Sequence, residues 1–158
     1  MRKVIEELDR EFDGLEHRLQ ELILLVPEEV LFKKPIADKR TVVELSVGGC
    51  VIRSAAMIEQ AFLGLTRRLW DDPFEWTLPE KLSTRTAIAS YISEVAATRE
   101  KGMMFLTSDD DLTRMLPAPE KLRSIFAVLL TSLMNAEHYR GRAEVLSRMI
   151  ASRPEEDA

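Results

Sequence analysis

The chain has 158 residues, 46% of them hydrophobic and 31% charged, with a formal net charge of −5. That length suffices for one domain with a continuous core, and the acidic balance argues against a nucleic-acid partner, which wants a basic surface. A single cysteine, Cys50, excludes an internal disulfide framework and fits a reducing compartment.

In chain order, Val4, Leu8, Phe12, Leu15, Leu19, Leu22 and Val26 recur at spacings of three and four. They predict a first amphipathic helix, closed by Pro27, with Glu6, Glu7, Arg10, Asp13 and Arg18 on its solvated face. His17 is expected to be exposed. After a loop containing Pro35, Thr41-Val-Val-Glu44 has the form of a capping box. It predicts a second helix running to about Trp70, ended by Asp71-Asp72-Pro73. Phe74, Trp76 and Pro79 lie on the long loop that follows. Trp70, Trp76 and Phe74 either cap a pocket or anchor that loop.

Ser83 or Thr84 caps a third helix through Ile88, Ile92, Val95, Arg99 and Leu106, stopping near Ser108–Asp111. Pro117 and Pro119 mark a further loop, and the fourth helix spans about Leu122–Ala151. Residues 1–152 are read as a single domain, with 153–158 a frayed tail. Four amphipathic helices in one domain predict an all-α four-helix bundle with long inter-helix loops. Two of those loops run to about 14 residues, longer than a tight helical hairpin needs, so simple up-down order is not required. No stretch of ~18 apolar residues offers a membrane span. MRKVIEELDREF lacks the apolar core of a secretory signal, so a cytoplasmic protein is expected.

The fourth helix places polar groups where burial is due. Phe126, Leu129, Leu133, Leu146 and Met149 form the expected apolar stripe, and Ser132, Asn135, Tyr139 and Arg142 lie on or beside it. A polar group buried without a partner costs roughly 1–3 kcal/mol, so these four must find partners or line a pocket. Arg99 raises the same question on the third helix.

Several segments together resemble the DinB/YfiT-like superfamily of small four-helix bundles. They are Leu24-Leu-Val-Pro-Glu-Glu, Thr41-Val-Val-Glu-Leu, Leu112-Thr-Arg-Met-Leu-Pro and, above all, Leu129–Gly141 with Asn135-Ala-Glu-His138-Tyr139-Arg140-Gly141-Arg142. The resemblance covers nearly the whole chain. It implies a zinc or nickel ion held by three histidines, one on the second helix and an HxxxH pair on the fourth, in thiol-dependent transferases and isomerases. Carried over residue by residue, the pair falls on Asn135 and Tyr139, and the third ligand on Gly48, or Gly49 in the alternative register. Glycine has no donor, and asparagine and a neutral tyrosine are poor ligands. The resemblance therefore implies a member whose metal triad is lost, with no metal cofactor expected.

His138, Glu137 and Cys50 are the secondary candidates for a substitute site. Adjacent residues point ~100° apart on a helix, so Glu137 and His138 are expected at the surface or boundary, Glu137 near Arg140 or Arg142. Cys50 is expected as a small buried residue rather than a nucleophile. Gly48-Gly49, read as interior to the second helix, either leave volume that Tyr139 fills or are simply tolerated there. Arg142 stands where the family has glutamine, and either binds an anionic ligand or pairs with Glu59, Glu94 or Glu144. Two functions stay open at this point. One is a metal-free, non-catalytic bundle acting through a small-molecule ligand, anionic if Arg142 holds it, or through a homodimer. The other is a thiol-dependent transferase or hydrolase-like enzyme with Tyr139 as acid and Arg142 as anion holder.

Overall fold

A computed structural model describes residues 1–33, 46–71 and 82–151. The described chain is mostly helical. Its elements are α1 (Lys3–Leu25), α2 (Glu28–Leu31), α3 (Val47–Arg67), α4 (Arg85–Met104), a 3-10 turn (Asp109–Thr113), β1 (Met115–Pro117), β2 (Leu122–Ser124) and α5 (Ile125–Ala151). No described helix is long and apolar enough to cross a membrane.

The first helix forms where its periodicity predicts, with Leu8, Phe12, Leu15 and Leu19 buried. At its start Ile5, not Val4, faces inward: Val4 is exposed and Ile5 is buried. Asp109 lies across the helix end and accepts the Val4 and Ile5 amides at 3.0–3.1 Å, supplying from the far 3-10 turn the cap that Arg2 does not. Thr84, rather than Ser83, caps α4, its hydroxyl accepting the Ala87 amide at 3.1 Å.

Besides α4, which ends at Met104 rather than near Ser108–Asp111, and α2, which forms where a loop is expected, three boundaries differ from the sequence reading. The described part of α3 is capped by Ser46, whose hydroxyl accepts the Gly49 amide at 3.0 Å. Gly48 and Gly49 thus sit in its first turn, not its interior; the Thr41–Glu44 box lies outside the described residues, as do Phe74, Trp76, Pro79 and the 153–158 tail. At the other end α3 stops at Arg67, with Arg68 in the left-handed region at φ 55° and the Arg68 and Leu69 amides returning to Gly64 and Leu63. Third, α5 begins at Ile125 because Leu122–Ser124 pairs antiparallel with Met115–Pro117, a hairpin that helical periodicity could not reveal.

Named contacts give the helix directions. Gln20 donates to the Ala89 carbonyl and Arg85 to the Ile23 carbonyl, while Arg99 reaches Asp9 and Glu16, so α1 and α4 are antiparallel. Ser54 pairs with Ala136 and Met57 with Ser132, so α3 and α5 are antiparallel too. Gly102 packs so closely on Phe62 that a Cβ there would come within 2.6 Å of the ring, and Thr98 shares a groove with Glu59. Hence α3 and α4 run in the same direction and begin at the same end. Phe12 and Phe62 meet edge to face at 5.2 Å in the shared core.

Candidate functional site

Two seams carry the polar residues that the sequence singles out. Between α3 and α5, the buried hydroxyls of Ser54 and Ser132 each donate to a carbonyl of the other helix, at 2.7 Å to Ala136 and 2.9 Å to Met57. Both are satisfied, which accounts for Ser132 on a buried face. That face differs from the predicted stripe. Ile125, Val128, Leu129, Ser132, Ala136, Ala143 and Leu146 are buried, while Phe126 and Met149 are exposed. Ala136 and Ala143 are wholly buried on this face, and the helical register places the larger Phe126 and Met149 outside it.

Beside this seam a cleft of about 210 Å³ opens between α3, α5 and the hairpin. Its wall includes Gln60 and Trp70 from the α3 side, Arg123 from β2, and Thr131, Ser132 and Asn135 from α5. Trp70 both lines the cleft and anchors its neighbours: its indole N–H donates to Pro117 at 3.2 Å and its carbonyl accepts from Gln60 at 2.8 Å. The half-buried Arg123 uses Nη2 on the Ala127 carbonyl at 3.2 Å and the Thr131 hydroxyl at 2.6 Å. Among the described residues it has no carboxylate partner, and its Nε and Nη1 donate to nothing. Asn135 is exposed on the same wall. Arg123 was missed by sequence reasoning, because the hairpin that aims it at the cleft is invisible to helical periodicity.

The remaining candidates do not converge on that cleft. Arg142 lies over the Tyr139 ring at 5.9 Å, and His138, exposed, meets the ring edge at 5.5 Å. One turn back from Ser54 is Cys50, and one turn on from Ala136 is Arg140, so Cys50 and Arg140 sit at about one level along the two helices. Cys50 is wholly buried. Burial pushes its thiol up, only partly offset by the nearby Arg142 charge, so it is poorly suited as a nucleophile. Gly48 is enclosed as well: an added Cβ would lie 2.8 Å from the Phe32 ring and 3.0 Å from the Leu31 carbonyl oxygen. The neighbours that exploit this glycine belong to α2 and its end, and Tyr139 is not among the nearest. Glu137 pairs with Arg140 at 2.6 Å, and Arg140 also with Glu144 at 2.8 Å.

The α1–α4 seam holds the second polar cluster. Arg99 is only 2% exposed. Its Nε contacts both oxygens of the buried Glu16, at 3.0 and 3.1 Å, its Nη1 contacts Asp9, and its Nη2 contacts Asp13 at 3.3 Å. Burial raises the Glu16 carboxyl above its ordinary range; Arg99 pulls it down, and Asp13 and Asp9 push it up again. The signal was available: Asp9, Asp13 and Glu16 recur at spacings of four and three and share a face of α1.

Among the described residues, no three His, Cys, Asp or Glu side chains gather as a metal site would require. No protein-family model matches this chain, and no curated protein matches it.

Proposed function

We propose that the chain is a DinB/YfiT-like four-helix bundle that works without the family's metal and receives a small anion, such as a carboxylate, in the α3–α5 cleft. Arg123 carries this reading. A half-buried guanidinium with no carboxylate among the described residues and free donors on a cleft wall is suited to a carboxylate guest. Asn135 adds an amide and Trp70 an apolar face. The volume, about 210 Å³, is below the ~300 Å³ at which pockets for drug-sized molecules begin, so the guest is small. Zinc or nickel does not suit the positions that the resemblance assigns to it. Gly48 has no donor and is covered by Phe32, Asn135 offers an amide, and Tyr139 is a neutral phenol that meets His138 edge to face and lies beneath Arg142.

Calorimetric titration with benzoate as the probe tests the reading. Saturable binding is expected, weakened by about tenfold or more (~1.4 kcal/mol) in Arg123→Gln and in Asn135→Leu by less. No binding at tens of millimolar, or equal binding by the wild type and Arg123→Gln, contradicts it.

A thiol-dependent transferase is the second reading, favoured by the contact between Tyr139 and Arg142. Tyr139 would serve as acid and Arg142 as anion holder, with the thiol brought in by substrate because Cys50 is enclosed. It requires thiol-transfer activity in the wild type that Tyr139→Phe removes while folding is kept. Either activity would be exercised in the cytoplasm, the compartment that the lone cysteine suggests.

A further inference from the structure

We propose that the groove between α3 and α4 is a further binding site, which takes a linear zwitterion with its ammonium at Glu59 and its carboxylate at Arg67 and Lys101. The groove has a volume of about 520 Å³ and lies on a different flank of α3 from the cleft that Arg123 lines. The inference is therefore independent of the anion proposed for that cleft. Two stripes build the groove. Glu59, Leu63, Thr66 and Arg67, spaced four, three and one residues apart, share one side of α3. Thr98 and Lys101 on α4, with Phe105 just past its end, recur at three and four and complete the wall. Because α3 and α4 run in the same direction, both stripes carry their charges in the same order. Glu59 precedes Arg67 by two turns, and the exposed Glu94, one turn before Thr98, precedes Lys101. The groove is acidic at one end and basic at the other.

The charges at the two ends are positioned but not spent. Glu59 is half-buried, and the Tyr91 phenol donates to one of its carboxylate oxygens. The other oxygen accepts nothing from a described residue. At the far end, neither Arg67 nor Lys101 donates to a described acceptor. Cations in a last turn commonly bond the final carbonyls of their helix. On α3 those of Leu63 and Gly64 are already taken by the Leu69 and Arg68 amides. Nor do the two ends satisfy one another. Eight residues set Glu59 and Arg67 about 12 Å apart along the axis, beyond the ~8 Å over which physiological salt screens charge.

A guest matches this order only if its positive and negative ends lie about 10–12 Å apart. Between the ends, Leu63 and Phe105 give apolar contact. The Thr66 and Thr98 hydroxyls donate to the Phe62 and Glu94 carbonyls, which leaves their oxygens as acceptors toward the groove. Acceptors beside the middle of the guest suit amide N–H groups. A peptide of three residues, extended at about 3.3–3.6 Å per residue, sets its termini at nearly this spacing. A long ω-amino acid does so too, without the amides.

Amide NMR titration of the full chain with trialanine and with 8-aminooctanoate tests the proposal. Saturable shifts are expected at Leu63, Thr66 and Thr98, with a millimolar dissociation constant, since each exposed ion pair contributes at most about fivefold. Octanoate and octylamine, which each lack one charge, are expected to bind at least about threefold more weakly than 8-aminooctanoate. Glu59→Gln keeps an acceptor for Tyr91 and is expected to erase the advantage over octanoate. Arg67→Gln with Lys101→Gln, both at exposed positions, is expected to erase the advantage over octylamine. Tighter binding of trialanine assigns the site to peptide termini, whereas 8-aminooctanoate binding at least as tightly assigns it to charge spacing alone. No saturable shift with either probe at about 50 mM overturns the proposal. So do shifts centred on Gln60 and Thr131 in the other cleft, or a Glu59→Gln chain that still prefers 8-aminooctanoate to octanoate.

Discussion

The seams α1–α4 and α3–α5 both bury polar side chains on apolar faces, yet they resolve the problem in opposite ways. On α1–α4 a single guanidinium is enclosed by Asp9, Asp13 and Glu16, so each of its three nitrogens has a carboxylate acceptor. On α3–α5 two neutral hydroxyls close the seam through backbone carbonyls, and the charged group, Arg123, stands at the edge with no carboxylate partner among the described residues. The comparison teaches that a polar residue on a buried stripe marks a candidate site only after its partners are counted. Charge that is compensated holds helices together; charge that is not is available to a guest.

Removing the enclosed charge should have the largest effect. Arg99→Met leaves Glu16, 4% exposed, without its counter-charge, and stability measured by urea unfolding should fall by about 3–5 kcal/mol. Adding Glu16→Leu should restore much of that loss, since Asp9 and Asp13 remain partly solvated. If Arg99→Met alone is near neutral, the seam does not depend on the cluster.

Next comes Gly48. Its Cβ direction is occupied by Phe32 and the Leu31 carbonyl, so Gly48→Ala should cost about 1–3 kcal/mol in the same assay by overpacking. A neutral result would return this position to the merely tolerated glycine that the sequence also allows. Ser54→Ala, which removes one fully buried hydroxyl from the α3–α5 seam, should cost about 1 kcal/mol. That is well below the Arg99 effect, and the ratio of the two sharpens the contrast between an ionic seam and a neutral one.

The smallest effect is a pH slope. Folded Glu16 keeps its proton to a higher pH than the unfolded chain, whose ordinary value is 4.5. The folded state therefore binds more protons in that window and loses stability as pH rises from about 4.5 through the raised value. Relative to Glu16→Gln, the wild type should lose stability as urea unfolding is repeated from about pH 4 to pH 7. A difference that grows with pH would contradict the burial-dominated carboxyl.

The sequence resolves the long helices and much of their inward faces because period 3.6 is written in Leu8, Phe12, Leu15, Leu19, Ile88, Ile92 and Val95. Helix ends were less legible. Ser46 and Thr84 are both plausible caps by type, but which hydroxyl reaches an amide depends on where the chain arrives from, and α1 is capped by Asp109, some hundred residues away. The hairpin was hidden because strands of three residues carry no period. It is the element that aims Arg123, so the cleft was hidden with it. Ser132 and Asn135, neighbours in the predicted polar set, separate into a satisfied structural hydroxyl and an exposed cleft amide. Only the rotation of α5 about its axis decides between those roles.

If the α3–α5 side serves a ligand without a metal, as proposed, it should retain neither zinc nor nickel. Elemental analysis of untagged protein after exposure to zinc and nickel tests it most directly. Less than about a tenth of an equivalent of either ion is expected, because Gly48, Asn135 and Tyr139 offer no effective donor set. Near one equivalent, retained through desalting, would contradict it and move metal-dependent thiol chemistry to first place.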